Sequence, residues 1–147
     1  MKTSTKILGH GQMHLTSASS TTCTDADTYY KIEGSWSDGC SKGFVVDDVN
    51  GRLVYNGPSV DAKLSGASDV EVNTATSITY ALYKNGVLVS DATTPHDFAH
   101  ASKTDFIGIS RCVPIKSGDY FEVWVKASDA GRVVTSKTLQ IDFVCMR

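Results

Sequence analysis

The stretch "SITYALYKNGVLV", residues 77–89, decides the fold because it contains two short strands and the turn between them. Apolar residues recur at every second position before and after the turn, which is typical of strands with one buried face. Asn85-Gly86 favours a type I′ turn, in which both central residues take a positive φ. We therefore predict a β-hairpin here, with Lys84 as a solvated charge at its end and not as a reactive amine.

The same alternation continues along most of the chain. The segments "YFEVWVKAS" (120–128) and "TLQIDFVCM" (138–146) each have one fully apolar face, and no long window keeps the apolar spacing of an amphipathic helix. Turn dipeptides rich in Asn, Asp and Gly separate the strands. Further strands are predicted at 28–34, 44–47, 52–56, 59–65, 70–73, 77–84, 87–91 and 104–113. The pattern predicts an all-β fold, a sandwich or barrel, with an antiparallel double-sheet jelly roll as the leading candidate.

The domain organisation follows from length and local composition. The 147 residues suit one domain with a sizeable core. Residues 1–25 are rich in Ser and Thr and poor in apolar residues, so we expect an N-terminal arm there, or a first strand, and a single domain over 26–147. The chain has no apolar run of the length of a signal-peptide core or a membrane span, and we expect it to be made and folded in a cytoplasm.

The net charge gives no support to the binding of polyanions. The formal net charge is −2, with 41% apolar and 20% charged residues, so nothing favours binding to nucleic acid or to an anionic membrane.

The four cysteines are Cys23, Cys40, Cys112 and Cys145. An even number permits two disulfides in three connectivities, among which the sequence does not choose. Because a reducing compartment keeps thiols free, we expect reduced and mostly buried cysteines.

Two histidine pairs have the spacing of metal ligands on a helix. His10 and His14 are four residues apart, as are His96 and His100, but Pro95 and the Ser/Thr-rich surroundings argue against helices. We interpret these residues as histidines of surface loops and expect no metal and no cofactor.

Catalytic motifs are also missing from the sequence. No G-x-S-x-G elbow and no phosphate-binding glycine loop occurs. The carboxylate pair Asp47-Asp48 stands beside the Asn50-Gly51 turn, where Asp commonly makes local hydrogen bonds. We therefore expect a protein that is not an enzyme.

Most aromatic residues fall inside predicted strands, which favours packing or subunit contact over ligand stacking. Trp36 lies in the loop-like segment "GSWSDG", where packing and ligand contact are both open.

Several short motifs occur in a characteristic order. They are a G-x-M opening before Ser/Thr-rich sequence, then "YYKIEGSW", "NGRLVYNG", "ALYKNG", "SGDYFEVWV" and the alternating last strand "TLQIDFV". In this order and spacing the chain, over about residues 11–145, resembles a family of bacteriophage virion proteins. That family has a jelly roll like that of complement C1q and tumour necrosis factor.

The resemblance implies a homotrimer with two sheets packed face to face and C-terminal strands near the three-fold axis. Tyr80, Trp124 and Phe143 are then candidates for residues near subunit contacts. The implied function is a structural virion protein, a capsid decoration or cement protein that stabilises a phage head, with the major capsid protein or other virion proteins as partners. Its location would be the virion, assembled in the host cytoplasm.

The alternative is a receptor-binding tail or head-fibre module that recognises a host surface glycan or protein. Its partner-contacting loop residues would be Trp36, His96, Phe98 and His100.

Overall fold

A computed structural model describes residues 7–99 and 105–146, which form twelve β-strands and no helix. The strands are β1 (Ile7–Leu15), β2 (Ser19–Cys23), β3 (Tyr30–Lys31), β4 (Trp36–Asp38), β5 (Phe44–Asp47), β6 (Arg52–Tyr55), β7 (Val60–Val72), β8 (Thr76–Lys84), β9 (Val87–Phe98), β10 (Asp105–Ile115), β11 (Tyr120–Ala127) and β12 (Arg132–Met146). Within these parts of the chain no helix is long and apolar enough to cross a membrane.

The strands form two antiparallel six-stranded sheets. Sheet 1 has the order β10-β7-β12-β1-β4, with β2 also paired to β12. Sheet 2 has the order β5-β6-β11-β8-β9, with β3 also paired to β11. Most neighbours in each sheet are distant in sequence, because the chain crosses repeatedly between the sheets, as in a jelly roll. The predicted antiparallel jelly-roll sandwich is confirmed.

The core lies between the two sheets and has an aromatic centre. The Phe143 ring is 4.6 Å from Phe121 and 5.7 Å from Phe44, measured between ring centroids. Gly11 of β1 makes room for this cluster, because a Cβ atom at Gly11 would lie 2.3 Å from Phe44 Cγ. The side chains of β11 and β12 that the alternation predicts to face inward therefore pack together in one layer.

The β8–β9 hairpin is confirmed. Asn85 has φ 54° and Gly86 has φ 80°, as a type I′ turn requires. Lys84 stays partly exposed at the end of the hairpin, but its charge is not fully solvated. Its Nζ donates a 2.8 Å hydrogen bond to the Pro114 carbonyl and lies 3.6 Å from Asp119 Oδ2. The turn packs against the end of β10, which supplies Pro114, and against the β10–β11 turn, which supplies Asp119.

Three strands are longer than the sequence predicts. The predicted strands 59–65 and 70–73 are one strand, β7, because residues 66–69 stay paired with β12. Likewise β9 continues to Phe98 and β12 begins at Arg132. In the region expected to be an arm or a first strand, β1 lies between β12 and β4 in sheet 1, and β2 pairs with β12.

Candidate functional site

The three residues expected near subunit contacts do not share a surface. Phe143 is 0% exposed and belongs to the aromatic centre of the core. Tyr80 is also buried, with its hydroxyl 2.6 Å from Ser136 Oγ, and burial raises the pKa of this phenol. Trp124 lies on the outer face of sheet 2 and keeps part of its surface exposed. Their placement near subunit contacts stays a prediction.

The four residues proposed as a partner-contacting loop are placed differently from the expectation. Trp36 belongs to β4, is 4% exposed, and its backbone N–H donates to Asp48 Oδ1 at 2.6 Å. Phe98 is buried in β9, and the His96 ring meets it edge-on at 4.9 Å. His100 lies outside the described residues.

The prediction that His96 and Phe98 lie in a loop is therefore wrong, because both belong to β9. Residues 93–98 pair with β8, and Pro95 is opposite Thr79. Proline fits here because β9 is the edge strand of sheet 2, so the missing N–H removes no ladder bond on the outer side.

The N-terminal histidines lie in a strand and not in a loop, which corrects that interpretation. The alternation of β1 places His10 and His14 on the outer face of sheet 1, and His10 Nδ1 lies 3.1 Å from the Cys40 carbonyl oxygen. Among residues 7–99 and 105–146, no group of three or more His, Cys, Asp or Glu side chains is placed to hold a metal.

The carboxylates Asp47 and Asp48 have separate local roles. Asp47 accepts hydrogen bonds from the backbone and the side chain of Asn50, and these bonds lower the pKa of Asp47. Asp48 accepts from the Trp36 backbone and also, through its carbonyl, from Gly51 N at 3.2 Å. The predicted turn hydrogen bonding is confirmed for the Asp47 carboxylate, whereas the Asp48 carboxylate bonds to β4.

The outer face of sheet 2 carries a cluster that we call the aromatic face: Tyr29, Tyr83, Trp124 and Lys126. The Tyr83 and Trp124 rings are stacked, with centroids 4.3 Å apart and planes 11° apart. Tyr29 meets Tyr83 edge-on at 5.8 Å, and Lys126 Nζ lies 5.0 Å from the centre of the Tyr29 ring. These contacts combine ring packing with cation–π attraction on an accessible surface.

Glu122 anchors one side of the aromatic face. Its side chain accepts a hydrogen bond from Trp124 Nε1 at 3.2 Å, and its Oε2 lies 2.9 Å from Lys31 Nζ and 3.3 Å from Arg52 Nη2. Glu122 is only 4% exposed, whereas both cations are partly exposed. The face therefore presents aromatic edges and positive charge, while its carboxylate is covered.

Sequence reasoning missed this cluster. Alternation along β11 puts Glu122, Trp124 and Lys126 on one face, but Tyr29 precedes β3 and Tyr83 belongs to β8. Only the register between strands, in which Tyr83 is opposite Glu122, brings them together.

Sheet 1 has a groove of about 590 Å³ on its outer face, lined by Gln12, His14, Leu15, Ala67, Thr138, Leu139 and Gln140. Cross-strand pairing puts Ala67, Gln140 and His14 in one row, and the small Ala67 leaves the depression. Beside it, Asp142 accepts hydrogen bonds from Gln12 at 2.9 Å and Gln140 at 3.2 Å. The groove therefore combines apolar and polar side chains, and Asp142 holds the Gln12 and Gln140 amides in place beside it.

The four cysteines are free thiols, of which Cys23 and Cys145 are buried and Cys40 and Cys112 are exposed. The expectation of mostly buried thiols therefore holds for two of the four. Burial raises the pKa of both the Cys23 and the Cys145 thiol, so little reactive thiolate forms there.

We expect a thiol-reactive dye to label Cys40 and Cys112 rapidly in the folded protein and to label Cys23 and Cys145 only after unfolding. Mass spectrometry of labelled peptides, without reductant, gives the site of each label. A double variant, Cys40→Ser with Cys112→Ser, is the control for the fast phase. Rapid labelling of Cys145 in the folded chain, or fewer than four thiols in denaturant, would contradict the expectation.

Comparison with known proteins supports the fold. No protein-family model matches the chain, and no curated protein matches its sequence. A crystal structure of murine APRIL is similar with a TM-score of 0.62 at 12% identity, covering 92% of this chain and 98% of that one. A structure of Eiger TNF from S. frugiperda has a TM-score of 0.68 at 9% identity, covering 97% of this chain and 94% of that one.

At these identities the similarity concerns the fold alone, because unrelated functions occur on one fold. Both matches extend over nearly the whole of each chain. The chain therefore has a jelly-roll sandwich of the tumour necrosis factor type.

Proposed function

We propose that the chain forms a homotrimeric structural protein without enzymatic activity, which decorates the outside of a bacteriophage capsid. The observation that carries the trimer is a pair of long edge strands on one side of the sandwich. β9, with 12 residues, ends sheet 2, and β10, with 11 residues, ends sheet 1 beside it. Edge strands of this length expose backbone groups that natural proteins cover.

The opposite side of the sandwich has much shorter edges. β4 has 3 residues and β5 has 4. Pro95 in β9 and Pro114 in β10 interrupt the row of N–H donors, so a continuous sheet between subunits is disfavoured. Side-on packing of the β9–β10 edge against another subunit, closed by rotational symmetry, covers the edges without open-ended growth.

The outer face of sheet 1 is our candidate for the surface near the three-fold axis. The family resemblance puts C-terminal strands there, and β12 runs through the middle of sheet 1. Its outward residues Gln140 and Asp142 form the hydrogen-bonded rim of the groove.

The assignment to a capsid rests on the order of motifs over residues 11–145, which resembles phage virion proteins, together with the sandwich that those proteins share. We expect the trimer to bind empty capsids of the parent virus and to occupy three-fold or quasi-three-fold positions. Co-sedimentation and electron microscopy of saturated capsids measure this. Absence of capsid binding, combined with inhibition of phage adsorption by the free protein, would overturn the decoration role.

The aromatic face favours a second candidate, a receptor-binding module for a host glycan or protein. Aromatic rings beside cations are common in recognition surfaces. Under this alternative, Trp124→Ala abolishes binding to host cells, whereas under the decoration role the protein does not bind cells.

The trimer is tested by mass in solution. A trimer of 15.8 kDa chains is expected at micromolar concentration, and Ala67→Arg, which fills the groove with a charged side chain, should dissociate it. Val45→Arg is the matched control, since Val45 is 56% exposed on the other sheet. A monodisperse monomer of the unmodified protein, or equal dissociation by both variants, would contradict the proposal.

A further inference from the structure

Three of the four asparagines precede glycine, at Asn50, Asn56 and Asn85. Asparagine followed by glycine is prone to spontaneous deamidation, because no Cβ on the glycine hinders the attack of its backbone nitrogen on the side-chain amide. The three sites have the same dipeptide but different surroundings. The effect of the surrounding structure on the rate of deamidation can therefore be compared between three sites of one protein.

We propose that Asn56 is a site of spontaneous deamidation and isoaspartate formation, and that the fold protects Asn50 and Asn85. In the reaction, base removes the proton of the Gly57 N–H, and the nitrogen attacks Cγ of Asn56. A five-membered succinimide forms as the C–N bond to the side-chain nitrogen breaks and ammonia leaves. Water then opens the ring at either carbonyl, giving aspartate or isoaspartate, so the net change is water in and ammonia out.

Asn85 is held at both ends of its amide. Its Nδ2 donates to Asp119 Oδ1 at 2.8 Å, and its Oδ1 accepts from the Tyr120 backbone N–H at 3.0 Å. The residue also has φ 54° in the type I′ turn. Rotation of Cγ toward the Gly86 nitrogen would break both hydrogen bonds, which slows ring closure.

Asn50 is protected at the amide and at the nucleophile. Its Nδ2 donates to Asp47 Oδ2 at 2.8 Å. The Gly51 nitrogen, which would have to attack, already donates to the Asp48 carbonyl at 3.2 Å. Gly51 is buried, with Trp36 Nε1 only 3.1 Å from the position of a Cβ, so the turn has little room to rearrange.

Asn56 lacks both kinds of restraint. It is exposed in the connection between β6 and β7, and within the described residues neither its side-chain amide nor the Gly57 nitrogen has a hydrogen-bond partner. Its own backbone N–H donates to the Gly43 carbonyl at 2.8 Å. That bond leaves ψ and the side chain of Asn56 free to reach the attack geometry.

One contact still limits the connection. Tyr55 Oη donates a 2.7 Å hydrogen bond to the Pro58 carbonyl and packs against Gly57, where a Cβ would lie 2.4 Å from Oη. Removing the hydroxyl releases the loop, so Tyr55→Phe should accelerate deamidation at Asn56 relative to the other two sites.

The test follows the three sites in one sample, because trypsin places them on separate peptides, 43–52, 53–63 and 85–103. Folded protein is incubated at mildly alkaline pH in water enriched in heavy oxygen, then digested and analysed by mass spectrometry. We expect peptide 53–63 to be modified several-fold faster than the other two, and faster still in Tyr55→Phe. In denaturant the three rates should converge, since the protection comes from the fold.

Asn56→Ser supplies the control for charge. Deamidation adds one negative charge to the formal net charge of −2, so the unmodified protein should develop an acidic form on ion exchange that Asn56→Ser lacks. Equal rates at the three sites in the folded protein, or faster modification of Asn50 or Asn85 than of Asn56, would overturn the proposal. A rate difference that persists in denaturant would assign it to local sequence and would also overturn it.

Discussion

Phe143→Ala is expected to reduce the free energy of unfolding by about 3–5 kcal/mol, the largest single effect in the molecule. Phe143 is 0% exposed and contacts the rings of Phe44 and Phe121. β12 pairs with β1 on one side and with β7 on the other, so the backbone cannot move to fill the cavity that the substitution leaves. The cost therefore includes both the lost apolar burial and the cavity that remains. Chemical denaturation, monitored by tryptophan fluorescence, measures the change in the free energy of unfolding.

Two controls separate the core role from other effects. Phe143→Leu keeps most of the volume and should cost about 1 to 1.5 kcal/mol. Val144→Ala changes the next residue, which faces outward, and should change stability by well under half the Phe143→Ala value. If Phe143→Ala instead left stability unchanged and altered only the mass in solution, Phe143 would act at a subunit contact, as the resemblance implies.

The sequence predicts the sandwich because its main signal is local. In β11 and β12 the apolar residues occupy every second position, and each strand buries that face in the core. The Asn85-Gly86 turn is equally local, since the positive φ values depend on two residues. The signals that decide fold class were therefore present within windows of a few residues.

Strand lengths could not be predicted in the same way. In β7 the inward positions include Gly66 and Ser68, which interrupt the apolar alternation although the strand continues. Ser68 is tolerated inside because its Oγ donates to the Thr138 carbonyl at 2.6 Å, a partner 70 residues away in sequence. In β9, Pro95 suggests a loop until the edge position of the strand is known. Both features depend on contacts between distant segments.

The candidate surfaces could likewise be predicted only in part from the sequence. The alternation of β11 correctly put Trp124 on an outward, mixed face, but its stacking partner Tyr83 and the buried state of Glu122 follow from the register. Tyr80 and Phe143 were assigned from the resemblance, and the single chain buries both between its sheets. Which face meets a partner depends on assembly, and alternation within one chain carries no signal of it.

Asp119→Ala is the second substitution with a large expected effect, about 2–4 kcal/mol of lost stability. Asp119 is 2% exposed and joins the β8–β9 hairpin to the β10–β11 turn. Its carboxylate accepts from Asn85 Nδ2 at 2.8 Å and from the Lys116 backbone N–H at 2.9 Å, with Lys84 Nζ at 3.6 Å. Truncation leaves these donors without their shared acceptor, which costs more than the loss of one exposed ion pair.

Asp119→Asn distinguishes charge from shape. It keeps the size of the side chain but replaces one carboxylate oxygen by an NH₂ group. In Asp119 one oxygen accepts from Asn85 and the other from the Lys116 N–H, so the amide loses one of these two acceptors. We expect it to be nearly as destabilising as Asp119→Ala, whereas Asp61→Asn, at an exposed position on β7, should be almost neutral. Equal, small effects of all three changes in denaturant titrations would show that the turn contact does not stabilise the fold.

The charge of Asp119 also gives the stability a pH dependence of known sign. Burial alone would raise the pKa of this carboxyl, but the hydrogen bonds from Asn85 and the Lys116 N–H, with the Lys84 charge, hold the pKa below its ordinary value. Because the folded pKa is lower than the unfolded value of about 4, the contribution is fully present above that pH and is lost as the pH falls through the folded pKa. As the pH falls below about 4, the stability of Asp119→Ala should therefore decrease less than the stability of the unmodified protein. The variant lacks the carboxyl group that takes up an extra proton on unfolding. Parallel stability curves of the two proteins in that range would mean that another carboxylate governs the acid response.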